Sequence, residues 1–121
     1  MNYQDYIQQI CDSDVAGLKL AEKSYGDSWK RRGGVGAFMM LARKWDRLEN
    51  AMSTTLHTSS ETDVRGLPVS PTIDKYDILQ RALADPRKEG LIDDIRDMRR
   101  YLVLIESELV AQGMVTEQPT D

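Results

Sequence analysis

The sequence predicts an all-α fold, a bundle of four to five helices with heptad-type faces that works as an oligomer. Three observations carry this expectation. Apolar residues recur at steps of three and four along most of the chain. No run alternates β-branched and polar residues between hairpin turns, so no strand is expected. The last third holds a long seam, Leu91, Ile95, Met98, Leu102, Ile105 and Leu109, stepping by 4, 3, 4, 3 and 4.

The elements follow in order. Residues 3–25 place Tyr3, Ile7, Ile10, Leu18, Ala21 and Tyr25 at helical spacing. The Asp12-Ser13-Asp14 cluster leaves open whether this is one helix or two, with Ser13 or Asp14 as the second N-cap. Gly26 is a natural stop. A second helix is expected from Gly34–Gly36, with Phe38, Leu41, Trp45, Leu48 and Met52 on its inner face. Residues 53–72, rich in Ser and Thr with Gly66, Pro68 and Pro71, read as a long mobile loop. A short helix over 73–84 is expected to turn Ile73, Tyr76, Leu79, Gln80 and Leu83 inward. The last helix is expected over 86–112, with Asp85 as N-cap, Pro86 at its first position and Gly113 closing it. Ile92, Val103, Leu104 and Val110 widen its apolar surface beyond one helix contact, which predicts a two-fold dimer. Residues 1–113 thus read as one domain and 114–121 as a polar tail.

Composition limits the function. The chain has 121 residues, 40% hydrophobic and 30% charged, and a formal net charge of −4. That size holds one modest core. The negative balance argues against duplex nucleic acid, which needs a basic face, but leaves room for a local anion pocket. No apolar leader and no run of about 18 apolar residues is present, so a cytoplasmic protein without membrane contact is expected. Cys11 is the only cysteine, which precludes an intramolecular disulfide or a cysteine zinc site; its helical spacing suggests a buried, inert thiol. Six methionines against one phenylalanine suggest an adaptable core. His57 is the only histidine and has no nucleophile nearby, so a Ser–His or Cys–His pair is not expected.

The richest stretch is Tyr25–Glu49. A basic, glycine-rich loop of Trp29, Lys30, Arg31, Arg32, Gly33 and Gly34 runs into a helix start. Arginine forks and free backbone N–H groups suit phosphate oxygens, and glycine lets the backbone approach. Trp29 can stack a base or cap the core. No Gly-Lys-Ser/Thr ends the loop, so it is not a Walker A motif. Arg43, Lys44 and Arg47 add a second basic cluster, which either lines the same pocket or pairs with neighbouring acids. Tyr101 either lines a ligand pocket or covers the core edge. Two acidic pairs, Asp46 with Glu49 and Asp94 with Asp97, are each three residues apart. Glu49 and Asp94 sit about 60° from the centres of their apolar stripes. If those flanks met, four carboxylates would suit Mg²⁺ and a metal-activated water. The plainer reading pairs them with neighbouring arginines, with Asp94 neutralising a buried cation from the second helix.

Tyr25-Gly26-Asp27-x-Trp29, Phe38, Lys44, Arg47-Leu48, Asp94-x-x-Asp97 and Tyr101 together resemble the nucleotide-modification-associated domain of type one, a small all-α phage family distantly similar to MazG-like nucleotide pyrophosphohydrolases. The resemblance covers about a third of the chain. It implies phage or prophage origin and a role with nucleotides. The Lys30–Gly34 loop departs from the family pattern, which weakens transfer of a base-modification role. Small helical phage proteins also include oligomeric sponges for cyclic nucleotide immune signals, and this composition suits one. The leading expectation is therefore a non-catalytic nucleotide binder of counter-defence type, needing no cofactor. The alternatives are a Mg²⁺-dependent nucleotide pyrophosphohydrolase on Asp46, Glu49, Asp94 and Asp97, an accessory protein for nucleotide modification, or a helical partner-binding protein.

Overall fold

A computed structural model describes residues 1–57, 61–62, 68–69 and 72–115. Helices dominate: α1 (Tyr3–Tyr25), a 3₁₀ turn (Ser28–Lys30), α2 (Arg31–Met52), α3 (Ile78–Ala84) and α4 (Leu91–Ala111). The all-α class expected from the sequence is therefore found. Between α2 and α3 lie four two-residue strands, β1 (Leu56–His57), β2 (Glu61–Thr62), β3 (Pro68–Val69) and β4 (Thr72–Ile73). They form two antiparallel pairs, β1 with β4 and β2 with β3. This corrects the expectation of no strands: two residues are too few to show an alternating pattern. Residues 58–60, 63–67 and 70–71 of the 53–72 stretch lie outside the described residues, as do 116–121 of the tail.

The residues divide into two compact units, Met1–Leu41 with Arg99–Asp121, and Ala42–Met98. In the first, α1 is one continuous helix. It starts at a capping box, in which Asn2 Oδ1 accepts from the Asp5 N–H at 3.1 Å and Asp5 Oδ2 accepts from the Asn2 N–H at 3.0 Å. It stops at Gly26, whose φ of 59° few other residues adopt cheaply. The Asp12–Asp14 cluster does not break it, because Asp14 is spent on a tertiary contact. Its carboxylate accepts from Arg99 twice at 2.7 Å and from Arg100 Nε at 2.9 Å. Gly17 leaves room for the Arg100 guanidinium, which also donates to Ser13. Among the described residues of this unit, Ala37 is the only buried apolar side chain. Phe38, expected inside, is 68% exposed. Cys11 is exposed, not buried as its spacing suggested.

The second unit holds the apolar core. Leu48, Met52 and Leu91 are buried together, with Ala51, Ala82, Ile95 and Met98 packed against them. The seam of α4 and the inner face of α2 are thus confirmed at this end, although Trp45 is exposed. The α3 expectation fails in detail. The helix starts at Asp77, whose carboxylate caps the Gln80 N–H at 3.0 Å, and Ile73 is buried from β4. Tyr76, Leu79 and Leu83 face out, Leu83 with 88% of its surface exposed. Arg81 turns in instead. Its guanidinium donates to the backbone carbonyls of Ala51, Thr54, Ile73 and Asp74. It therefore ties the end of α2, whose last carbonyls lack helical partners, to β4.

The start of α4 is later than expected, at Leu91 rather than Pro86. Asp85 still caps it, from across a loop: its Oδ2 accepts from the Leu91 N–H at 2.9 Å while the carboxylate grips Arg87 at 2.8–3.2 Å. The Arg87 guanidinium and the Leu91 amide hold the Asp85 carboxyl well below the usual carboxylate range. At the other end the Gly113 N–H donates to Val110 O and the Met114 N–H to Leu109 O, both 3.0 Å. The seam beyond Met98 is open in the single chain: Leu102 is 54% exposed and Leu109 is also exposed.

Candidate functional site

Two clusters contain the residues singled out by sequence, one in each unit. In the first unit the chain leaves α1 at Gly26, makes the 3₁₀ turn and enters α2 through three consecutive left-handed residues. These are Arg32 (φ 55°, ψ 40°), Gly33 (φ 72°, ψ 22°) and Gly34 (φ 84°, ψ 17°). Regular helix begins beyond them, as the glycines led us to expect. Space beside Gly33 and Gly34 is open: an added Cβ would meet nothing within 4 Å. Arg32 is the outlier, since a side chain in this region costs about 1–2 kcal/mol that glycine avoids.

The three cations of this loop are not equivalent. Lys30 is fastened by Glu108 at 3.2 Å and approaches Asp27 at 3.7 Å. The bond to Glu108 raises the Lys30 pKa, and bonds from Gln112 and Lys30 lower that of Glu108. Lys30 thus anchors the loop to α4. Arg31 and Arg32 are exposed, and no described residue forms an ion pair or hydrogen bond with either side chain. Trp29 and Tyr101, in the same unit, are each half-buried.

In the second unit Lys44, Arg47, Asp94 and Asp97 form one ion network. Lys44 Nζ lies 3.0 Å from Asp97 Oδ2 and 3.7 Å from Asp94 Oδ1; Arg47 Nε lies 3.6 Å from the same Asp94 oxygen. Asp94 is 1% exposed and Lys44 16%. Asp94 Oδ2 is buried without a hydrogen-bond partner. An unneutralised carboxylate at this depth would cost several kcal/mol, so the two cations are what permit its burial. This is the pairing of Asp94 with a second-helix cation that the sequence offered as the plainer reading. Asp46, Glu49 and Arg43 are exposed and stand outside the network. Among the described residues no group of three or more His, Cys, Asp or Glu side chains is disposed to hold a metal ion.

The sequence reading missed Arg81 and the tertiary role of Asp14. A signal existed for Asp14: the series 3, 7, 10, 14, 18, 21 runs through it, and an acid inside an apolar stripe points to a buried ion pair. None existed for Arg81, whose partners are backbone carbonyls that no side-chain pattern encodes. Compared with known proteins, the chain matches no family model, no curated protein and no solved structure. No helix among the described residues is long and apolar enough to cross a membrane.

Proposed function

We propose that this protein binds a nucleotide, linear or cyclic, and sequesters it without turning it over. The turn at 31–34 carries the reading. It presents two arginines with no described partner beside glycine backbone with open space around it, at the start of a helix. An arginine kept in a left-handed conformation, where glycine costs less, argues that its side chain has a use. The phosphate meets Arg31 and Arg32, and Trp29 offers an aromatic edge for the base. Arg43 is a further exposed cation, whereas Lys30, Lys44 and Arg47 are occupied by carboxylates. The family resemblance adds a phage origin and a role with nucleotides, and the composition suits an oligomeric sponge that removes a nucleotide immune signal in the host cytoplasm.

The alternative, Mg²⁺-dependent hydrolysis, draws on carboxylates of which Asp94 and Asp97 already serve as counter-ions to Lys44 and Arg47. One experiment separates the readings. The protein is screened by thermal shift against linear and cyclic nucleotides, incubated with any hit plus Mg²⁺, and then heat-denatured. A binder raises its melting temperature and returns the ligand intact. Charge reversal at Arg31 and Arg32 should weaken binding by about 2 kcal/mol or more and leave the ligand-free melting temperature unchanged. Ligand affinity that survives the reversal refutes the phosphate-loop reading, and recovered products favour the hydrolase.

A further inference from the structure

The packed face of α1 does not end where its packing ends. Asp14, Gly17, Leu18 and Ala21, buried or half-buried, continue toward the N-terminus as Ile10, Ile7 and Tyr3 at the same spacing. Yet every residue from 1 to 13 is exposed. A helix of that length is marginal in water unless its apolar stripe is covered. In the same unit α4 shows the converse. Its seam continues through Leu102, Ile105 and Leu109; Ile105 is half-buried, whereas Leu102 and Leu109, with Val103 and Val110 beside them, are exposed. One chain therefore carries an uncovered helical stripe and an uncovered helical face, both with apolar residues spaced for helix packing.

We infer that these two faces cover each other between two copies of the chain. The first half of α1 from each copy, through Tyr3, Tyr6, Ile7 and Ile10, lies on the Leu102–Val110 face of α4 in the other. Every copy offers both faces, so the exchange closes about a two-fold axis with nothing left over. Area favours this occupant. Eight half-exposed apolar side chains per copy, on the order of 100 Å² each, come to roughly 1,500 Å² for two copies, the size of a standard specific interface. Either face pairing only with itself would supply about half of that. Charge agrees. Residues 1–18 and 101–111 contain no lysine or arginine, so neither face suits nucleic acid or an anionic membrane. The inference rests on the homo-oligomer reading and is independent of the ligand.

The test is solution mass by light scattering on the full chain and two double variants, Ile7→Asp/Ile10→Asp and Leu109→Asp/Val110→Asp. Circular dichroism confirms that each variant keeps its helix content. The parent should scatter as twice 13.8 kDa. Each variant alone should be monomeric, whereas an equimolar mixture should associate more strongly than either variant, because one intact stripe still meets one intact face over half the area. A monomeric parent overturns the homo-oligomer reading itself. A dimeric parent with variants that stay dimeric, or with a mixture that gains no mass over either variant at the highest concentration tested, overturns the exchange and leaves another contact between copies. Should a variant lose its helix content, the Ile7→Cys and Leu109→Cys chains, each carrying Cys11→Ser, replace it. Mixed and treated with a flexible bis-maleimide cross-linker, which tolerates differences in register, they should form the crossed dimer, and its absence overturns the exchange.

Discussion

At the residue scale the buried polar side chains among the described residues are Asp14, Arg81 and Asp94, and each meets a different kind of partner, Asp94 with one oxygen left without a hydrogen bond. Asp14 has two arginines. The Arg99 bond above all, with help from Arg100, lowers its pKa from 3.8 to about 2. A carboxylate depressed in this direction stabilises the fold fully above its unfolded pKa, and the contribution fades as pH falls from there through about 2. Asp14→Asn should therefore cost about 1–2 kcal/mol at pH 7, allowing for the partly exposed arginines, and only a small fraction of that near pH 2, where the native carboxylate is half protonated. Urea melts at the two pH values check this; equal losses at both would mean that shape, not charge, is what Asn fails to supply. Arg81 has only carbonyls, four of them, from α2, β4 and the residue or two that follow each. Arg81→Leu should cost about 3 kcal/mol or more, because carbonyls at the end of α2 lose their donors. Arg81→Lys should rescue little of it, since one ammonium cannot span the fork. Chemical denaturation of both variants reads this directly.

At the element scale α4 is two half-helices in its surroundings, though one in its backbone. Leu91 is 3% exposed and sits in the core, whereas Leu102, in the same seam, is exposed. Leu91→Ala should cost about 2–5 kcal/mol, and Leu102→Ala much less within one chain. A Leu102 loss that appears only at protein concentrations where the chain self-associates would place that residue between copies. Periodicity located α1, α2 and α4 and the glycine stops at Gly26 and Gly113 because cap chemistry and helical spacing are local. It misjudged α3, since a seven-residue helix has too few turns for its apolar residues to define an inner face, and the burial of Arg81 was decided by carbonyls remote in sequence.

At the scale of the whole molecule the buried apolar cluster belongs to residues 42–98, whereas in the first unit half-buried apolar residues such as Leu18, Leu41 and Ile105 are joined by ion pairs, Asp14 with Arg99 and Arg100 and Lys30 with Glu108. Ion pairs at partly exposed positions contribute little net stability. The melting temperature should therefore rise with protein concentration, as mass action requires when association covers the open faces. Differential scanning calorimetry over a hundredfold range of concentration measures it, and a constant melting temperature would count against self-association.

By itself the sequence determined the helical class, the glycine stops at Gly26 and Gly113 and the basic glycine turn at the start of α2. These depend on spacing, capping and backbone freedom within a few residues of each other. It also named Lys44, Arg47, Asp94 and Asp97 as belonging to one question. Only the tertiary structure decided the answer there, by setting Asp94 at full burial against two cations so that it neutralises them. Only the tertiary structure separated Lys30, bound to Glu108, from Arg31 and Arg32, which are adjacent in sequence and chemically alike. And only it showed that the seams of α1 and α4 are each half covered, because a heptad stripe records that a face is apolar and not what lies against it.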